Sequence, residues 1–276
     1  GIVFRIRENK TDSDKPSNHR HTYSIVSIII LLASATAMLI QWSALIRPAT
    51  LFVEMIRVDQ FSTFLKIIIE VSTIVVVLLT WRGELQTKLS EYYALVLAIV
   101  LGAHLLVMSI NFIMVFLSLE IISISSYILA GFSFNKKASE ASLKYFLFGS
   151  IASAIMLYGL SILFGLTGSL DFTSSSFSTA LVEKSSPLMF TALLLALAGF
   201  LYKIAAAPMH IWSPDIYEAA PMPVVAFFSI VPKLAGFGIL TKFLLTISLM
   251  SKSAYDWQLI ISAIAILTIT IGNFSA

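Results

Sequence analysis

The chain alternates between long apolar runs and short polar connections. A helix that crosses a bilayer needs about 20 consecutive, mostly apolar residues. The runs that meet this length are too long and too continuously apolar for barrel strands, so they predict helices. The expected fold is an all-α, polytopic membrane helix bundle with about eight transmembrane helices. Its spans are 24–46, 59–80, 92–110, 112–132, 143–165, 188–208, 222–248 and 258–275.

The polar connections indicate how the chain is organised. Residues 1–22 predict a polar loop ahead of a membrane domain that covers 23–276. The short connection at Asn111 predicts a tight hairpin of two helices. The longest connection, 166–187, is expected to be ordered or partly helical. The chain starts with Gly and stops directly behind an apolar run, so we expect it to be an internal piece of a longer protein.

Composition excludes several classes of protein. The chain is 58% apolar and 12% charged, whereas a soluble domain carries about 25% charged residues. Cysteine is absent, which excludes disulfides, thiolate metal sites and cysteine-ligated iron–sulfur clusters. The net charge of +3 comes from loop residues and does not indicate a nucleic-acid surface. We expect His19 and His21 to be solvated, and no other cluster has metal-ligand spacing.

Loop charges predict the orientation in the membrane. The loops 1–22, 81–91, 133–142 and 209–221 lie on one side and carry nine lysines and arginines. The loops on the other side carry four. Because lysine and arginine are enriched in cytoplasmic loops, the first side is expected to be cytoplasmic, or matrix or stromal in an organelle.

Three charged residues lie well inside apolar runs, namely Glu120, Lys203 and Lys233. A charge at the centre of a bilayer costs roughly 2.5–3.5 kcal/mol on insertion scales, so such residues usually face the interior of a bundle and carry function. One acid and two lysines in successive spans predict a path for protons. The structural alternatives are a neutral Glu120 that packs two helices together and lysines that snorkel to an interface.

The segment 208–223 interrupts the apolar pattern with four prolines. Proline removes an intrahelical hydrogen bond, so the helix that contains Lys203 should break near Pro208. Broken helices at membrane depth are common at ion sites, although a plain re-entrant loop is an equal alternative. His210 in this segment is a candidate to pass protons toward Lys203.

The remaining charged groups in the apolar runs have structural interpretations. Lys66 and Glu70 are spaced four residues apart on one predicted helix and can neutralise each other. His104 is interpreted as a hydrogen-bonded packing residue. Lys144 begins the span 143–165 and, by position alone, is an interfacial anchor.

Four stretches are specific enough to compare with known families: EYYALVLAIVLGAHLLV (91–107), FLSLEIISISSYILAGF (116–132), EASLKYFLFGSIASA (140–154) and KIAAAPMHIWSPDIYEAAPMPVVAFFSIVPKLAGFGIL (203–240). They resemble the antiporter-like membrane subunits of respiratory complex I, the proton-pumping NADH:quinone oxidoreductase. The sequence SPDIYEAAP, which contains Tyr217, is most similar to the subunit of this family called N.

The resemblance implies an inverted-repeat fold, of which this chain would hold the first repeat while the second is largely missing. By position it implies a proton relay of Glu120, Lys144, Lys203 and Lys233. Lys144 thereby changes from an anchor to a candidate functional residue. His210 joins this set from the proline-rich segment.

The function implied by the resemblance is proton translocation, coupled to electron transfer to quinone, in a non-redox subunit of the enzyme. It binds no metal or cofactor itself, since NADH, FMN, iron–sulfur clusters and quinone would be bound by other subunits. Its partners would be the other membrane-arm subunits, the lipid bilayer and protons, in a bacterial or organellar inner membrane. One alternative is a subunit of an Mrp-type cation/proton antiporter, and another is a structural scaffold with idle charges.

Overall fold

The computed structural model describes residues 17–44, 47–81, 88–183, 186–250 and 257–275. Eight of the helices in these ranges are long and apolar enough to cross a membrane, which confirms the predicted number of spans. In chain order the elements are α1 (Ser17–Ala44), β1 (Ala49–Leu51), β2 (Ile56–Val58), α2 (Gln60–Trp81), α3 (Leu89–Met108), α4 (Phe112–Ala130), α5 (Lys136–Thr167), α6 (Ser175–Glu183), α7 (Pro187–Ile204), α8 (Ser213–Ala219), α9 (Met222–Met250) and α10 (Trp257–Ser275).

Two helices, α1 and α5, begin about two turns before the start that the apolar pattern predicts. Helix α1 begins at Ser17, so the end of the predicted polar loop is helical, while residues 1–16 lie outside the described part of the chain. Helix α5 begins at Lys136, about two turns before the predicted start. The reason is a side-chain cap, because Asn135 accepts a hydrogen bond of 2.8 Å from the backbone N–H of Ala138.

The helix that contains Lys203 ends ahead of Pro208, near which the sequence predicts a break. Helix α7 ends at Ile204, and Ala205 adopts a left-handed conformation with φ 56°, so the break begins before Pro208. The break exposes backbone groups that need partners inside a membrane. The carbonyl oxygen of Tyr202 finds one, since the indole Nε1 of Trp212 donates a hydrogen bond of 3.1 Å to it.

One side of the bundle carries a short hairpin that hydropathy did not predict, formed by the antiparallel strands β1 and β2. Ile56 of β2 forms a bridge with Ser109, which lies between α3 and α4. Asn111, in the tight turn that was predicted, forms a second bridge with Asp171. We call this face of the bundle the hairpin side, and it is the side predicted to be non-cytoplasmic.

The opposite face carries α8 and is called the α8 side. Lys137, at the start of α5, pairs with Glu218 at 2.5 Å between Nζ and Oε1. Lys144, two turns further along α5, pairs with Asp215 at 3.1 Å between Nζ and Oδ2. Two of the four segments that were predicted to share the cytoplasmic side, 133–142 and 209–221, therefore contact each other.

Five buried phenylalanines pack between the hairpin side and the centre of the bundle. Their ring centroids lie between 5.5 and 6.3 Å apart in successive contacts. One of them belongs to α6, so the connection 166–187 is partly helical, as predicted. We call this set the phenylalanine cluster, and its members are Phe112, Phe172, Phe177, Phe200 and Phe243.

Candidate functional site

Lys203 lies in the last turn of α7 and is only 2% exposed. The C-terminal end of a helix carries partial negative charge, which favours an ammonium there. Nζ donates a hydrogen bond of 3.2 Å to the hydroxyl of Ser123 on α4. An ammonium this deeply buried and bound to a neighbouring helix does not snorkel to an interface.

Glu120 lies on α4, one turn before Ser123. Its Oε1 accepts a hydrogen bond of 2.6 Å from the hydroxyl of Ser153 on α5. In the described part of the chain no ion pair of 4.0 Å or less joins Glu120 to Lys203, although the two are close enough for the charge of one to act on the other. The carboxyl and the ammonium are thus separate groups in one polar site, each held by a serine.

Helix α9 completes one wall of this site. A Cβ added at Gly236 would lie 3.5 Å from Cβ and Cγ of Lys203, so the glycine allows α9 to pack against the stem of the buried lysine. Lys233 lies one turn before Gly236 and is partly buried. Its Nζ is 5.3 Å from the ring centroid of Tyr217 on α8, a cation–π contact. Lys233 therefore faces α8.

Lys144 lies at the α8 side rather than in the interior. Its Nζ is 3.1 Å from a carboxylate oxygen of Glu140 and 3.1 Å from one of Asp215. The three side chains are 44%, 62% and 44% exposed. This arrangement is a charged group at the surface, which can exchange protons with water.

His210 lies in the segment between α7 and α8. Its carbonyl oxygen accepts hydrogen bonds from the N–H and the hydroxyl of Ser213, at 2.9 and 3.0 Å. Its Nδ1 is buried and has no hydrogen-bond partner among the described residues. The described contacts do not link the imidazole to Lys203 or to Lys144.

Two residues of the site were not predicted from the sequence. Ser123 follows Glu120 at a spacing that places both on one side of a helix, so the pattern contained a signal for it. Ser153 lies on another helix, and only the packing of α4 against α5 reveals that it binds Glu120.

The predicted pairing of Lys66 with Glu70 is wrong. Nζ of Lys66 donates a hydrogen bond of 3.2 Å to Oε1 of Gln41 on α1. Oε1 of Glu70 instead lies 3.7 Å from Nε2 of His104 on α3. Among the described residues no ion pair joins Lys66 and Glu70, because α1 and α3 supply each with a different partner. His104 accordingly faces a carboxyl group.

A polytopic bundle that holds a carboxyl and lysines between its helices, one of them at a helix break, is the architecture of antiporter-like membrane proteins. Residues 109–276 match the family described as NADH:quinone oxidoreductase/Mrp antiporter, transmembrane. The chain belongs to this family. It is a multi-pass protein of an energy-transducing membrane.

Individual relatives agree with this assignment. The chain is 40% identical over 245 residues to NADH-quinone oxidoreductase subunit N 2 of Sorangium cellulosum, a match that covers 83% of this chain and 48% of the relative. The structure is similar to a chain of respiratory complex I from Thermus thermophilus with bound aureothin, with a TM-score of 0.76, 28% identity and coverage of 93% and 53%. A chain of the Mrp complex from Dietzia sp. shares the fold, with a TM-score of 0.67, 21% identity and coverage of 80% and 43%.

The chain spans about half the length of the curated relatives it matches. The resemblance to the antiporter-like subunits of complex I, and to subunit N among them, is confirmed.

Proposed function

We propose that this chain is part of a proton-translocating membrane subunit of an NADH:quinone oxidoreductase. The observation that carries the proposal is the buried ammonium of Lys203, bound to Ser123 one turn from Glu120 at a helix break. Ionisable groups are costly inside a membrane and usually mark ion or proton pathways. The similarity to relatives named as subunit N of this enzyme supports the same function.

Glu120 and Lys203 act as a coupled pair. Coulomb interactions are strong in a low dielectric, so the charge on Glu120 changes the affinity of Lys203 for a proton. A conformational or charge change that reaches Glu120 from a neighbouring subunit therefore makes Lys203 bind or release a proton. Ser123 can donate and accept a hydrogen bond, which suits it to pass that proton on.

Protons enter at the α8 side, where Lys144, Glu140 and Asp215 form a partly exposed charged group. His210 lies on the segment between this group and the end of α7 and provides a titratable nitrogen there. Lys233 lies one turn before Gly236, which packs against the stem of Lys203, and it receives the proton that Lys203 releases. Lys233 then passes the proton on along the membrane domain.

In this function the chain belongs to a non-redox subunit of the enzyme. NADH, FMN, iron–sulfur clusters and quinone are bound by other subunits of the complex. The partners of the chain are the other membrane-arm subunits and the lipid bilayer. Electron transfer elsewhere in the complex supplies the free energy for proton translocation.

The substitution Glu120→Gln tests the proposal in the full-length protein within its complex, in membrane vesicles. Gln keeps the volume and the hydrogen bond with Ser153 but cannot titrate. We expect NADH-driven proton uptake to fall about tenfold or more, as for the loss of a positioned proton-transfer group. Glu91→Gln, at an exposed position on α3, is the matched control and should leave uptake unchanged. Wild-type uptake in the Glu120→Gln vesicles would show that Glu120 is structural.

A cation/proton antiporter is the second candidate, because the family includes Mrp antiporters and the Dietzia chain shares the fold. The two functions differ in their driving force. Vesicles that carry the full-length protein in its complex would acidify on addition of NADH in the first case. In the second case a sodium gradient would change the internal pH without NADH.

A further inference from the structure

A second group of buried and partly buried charged residues lies between α2, α3 and α9, away from Glu120 and Lys203. We call it the hairpin-side cluster, and its members are Asp59, Lys66, Glu70, His104 and Lys242. Nζ of Lys242 lies 3.1 Å from Oδ2 of Asp59. Lys66 lies within range of both of those charges. Oε1 of Glu70 lies 3.7 Å from Nε2 of His104. The cluster thus extends from the start of α2 toward the middle of that helix.

Burial increases along this line. The side chains of Asp59 and Lys242 are 22% and 12% exposed. Lys66 is 5% exposed, and Glu70 is 1% exposed. Asp59 precedes α2 directly, at the hairpin side. The cluster therefore reaches the surface at the hairpin side and ends inside the bundle.

Two atoms at the buried end lack partners. Oε2 of Glu70 and Nε2 of His104 have no hydrogen-bond partner among the described residues. A buried polar atom without a partner costs about 1–3 kcal/mol, so such a pair calls for an explanation. We propose that Glu70 and His104 form a second proton-binding site, which exchanges protons with the hairpin side through Lys66 and the Asp59–Lys242 pair.

The chemistry of the pair favours a proton over a metal ion. When the proton is on the imidazole, Nε2–H donates toward the Glu70 carboxylate. When it moves to Glu70, the carboxyl O–H donates to the lone pair of neutral Nε2, so each state gives both groups a partner. Lys66 lies close enough for its charge to act on His104, and a positive charge there opposes binding of a cation. In the described ranges no group of three or more metal-ligating side chains is present.

The surroundings of the pair contain few other titratable groups. Helix α2 contributes Lys66, and Asp59 precedes that helix. Helix α9 contributes Lys242, and β2 contributes Arg57, whose charge acts on Lys242. The described contacts from α1 are with neutral side chains, namely Ser34 beside Glu70 and Gln41 on Lys66. A change in proton occupancy at Glu70 and His104 is therefore felt first by Lys66.

The proposed site is separate from the relay. Lys233 and Lys242 are nine residues apart on α9, which is about 2.5 turns, so they lie on opposite faces of that helix. Proton binding at Glu70 does not depend on the function proposed above, whereas a contribution to pumping does.

Infrared difference spectra of the assembled complex, taken between acidic and alkaline pH, test the site directly. We expect a carboxylic acid C=O band in wild type that is lost in Glu70→Gln. The band should move but persist in His104→Gln, because the carboxyl loses its imidazole neighbour. Glu54→Gln, at an exposed position of the hairpin, is the control and should keep the wild-type spectrum. Identical carboxylic acid bands in wild type and Glu70→Gln would overturn the proposal.

A second measurement uses the wild-type complex and does not depend on the folding of a variant. The O–H of a protonated carboxyl adds across a C=N bond of dicyclohexylcarbodiimide to give an O-acylisourea. Its acyl group then shifts from oxygen to nitrogen, and the stable N-acylurea is located by peptide mass spectrometry. We expect labelling of Glu70 that decreases when the pH on the hairpin side is raised. Glu70 that stays unlabelled at acidic and neutral pH would refute the site.

These results separate the two proposals. Normal pumping in Glu120→Gln, with a Glu70 band present, would overturn the relay and leave the second site standing. A missing Glu70 band, with pumping lost in Glu120→Gln, would overturn the second site and leave the relay standing.

Discussion

Gly159 of α5 lies directly against the backbone of α7 at Ala196. A Cβ added at position 159 would be 2.5 Å from the amide nitrogen of Ala196. Small residues allow helices to approach closely in membranes, where packing drives their association. This contact matters for the polar site because α5 carries Ser153 and α7 carries Lys203.

The first prediction concerns this contact. Gly159→Ala should force α5 and α7 apart and lower the free energy of unfolding by about 1–3 kcal/mol, the usual cost of overpacking. Gly165→Ala on the same helix is the control, since nothing lies within 4 Å of an added Cβ there. The measurement is the thermal unfolding midpoint of the purified complex. Equal midpoints for the two variants would show that the helices adjust without cost.

The second prediction concerns the serine that holds Lys203. Ser123→Ala removes the hydrogen bond to the ammonium, and a hydrogen bond to a charged group contributes about 1.5–3 kcal/mol. We expect proton translocation to slow by about tenfold, since 1.36 kcal/mol corresponds to about a factor of ten in rate. Ser118→Ala is the control, because the Ser118 hydroxyl bonds back to Met114 of its own helix. Equal rates in both variants would remove Ser123 from the relay.

The third prediction concerns Lys233. Lys233→Met should abolish proton translocation while the complex still assembles, because a partly buried charge is replaced by an apolar side chain of similar length. Lys233→Arg should also impair translocation, since a guanidinium does not release its proton at working pH. Tyr217→Phe keeps the aromatic ring for the cation–π contact and should behave like wild type. Normal pumping by the arginine variant would rule out a lysine that cycles its proton.

The fourth prediction concerns the helix break. Trp212→Phe removes the indole N–H from the carbonyl oxygen of Tyr202, which keeps a hydrogen bond of 3.1 Å from the N–H of Ala205. The loss of one of two hydrogen bonds should cost about 0.5–1.5 kcal/mol. Trp42→Phe on α1 is the control, because Trp42 is exposed. Thermal unfolding of the two variants in the complex compares them. A Trp212→Phe midpoint at the control value would mean that the hydrogen bond from Ala205 is sufficient for the carbonyl.

Hydropathy was sufficient to predict the eight spans, because a bilayer imposes length and apolarity on every helix that crosses it. The helix ends that differ from the predicted spans depend on local hydrogen bonds and backbone conformation. Asn135 extends α5 by capping it, and Ala205 ends α7 ahead of the proline that was expected to do so. A hydropathy window averages over such single residues.

The identity of the buried charges could be read from the sequence, whereas their partners could not. Glu120 and Lys203 stand out in apolar runs, but the serine that binds Glu120 is 33 residues away on another helix. Lys66 was assigned to Glu70 by helical spacing, and Gln41, 25 residues earlier, is its partner instead. Partner choice inside the bundle depends on which helices pack together, and spacing within one helix does not contain that information.

The phenylalanine cluster has an electrical consequence. Phe200 lies one turn before Lys203, and ring contacts continue from it through Phe243 to Phe112, Phe172 and Phe177. An ion that moved straight from Lys203 toward the hairpin side would pass among these rings, which offer no hydrogen bond to replace water. Taking an ion out of water in this way costs several kcal/mol. This part of the bundle is therefore electrically insulating. It prevents ions from passing directly between Lys203 and the hairpin side, so that charge moves only along the polar routes.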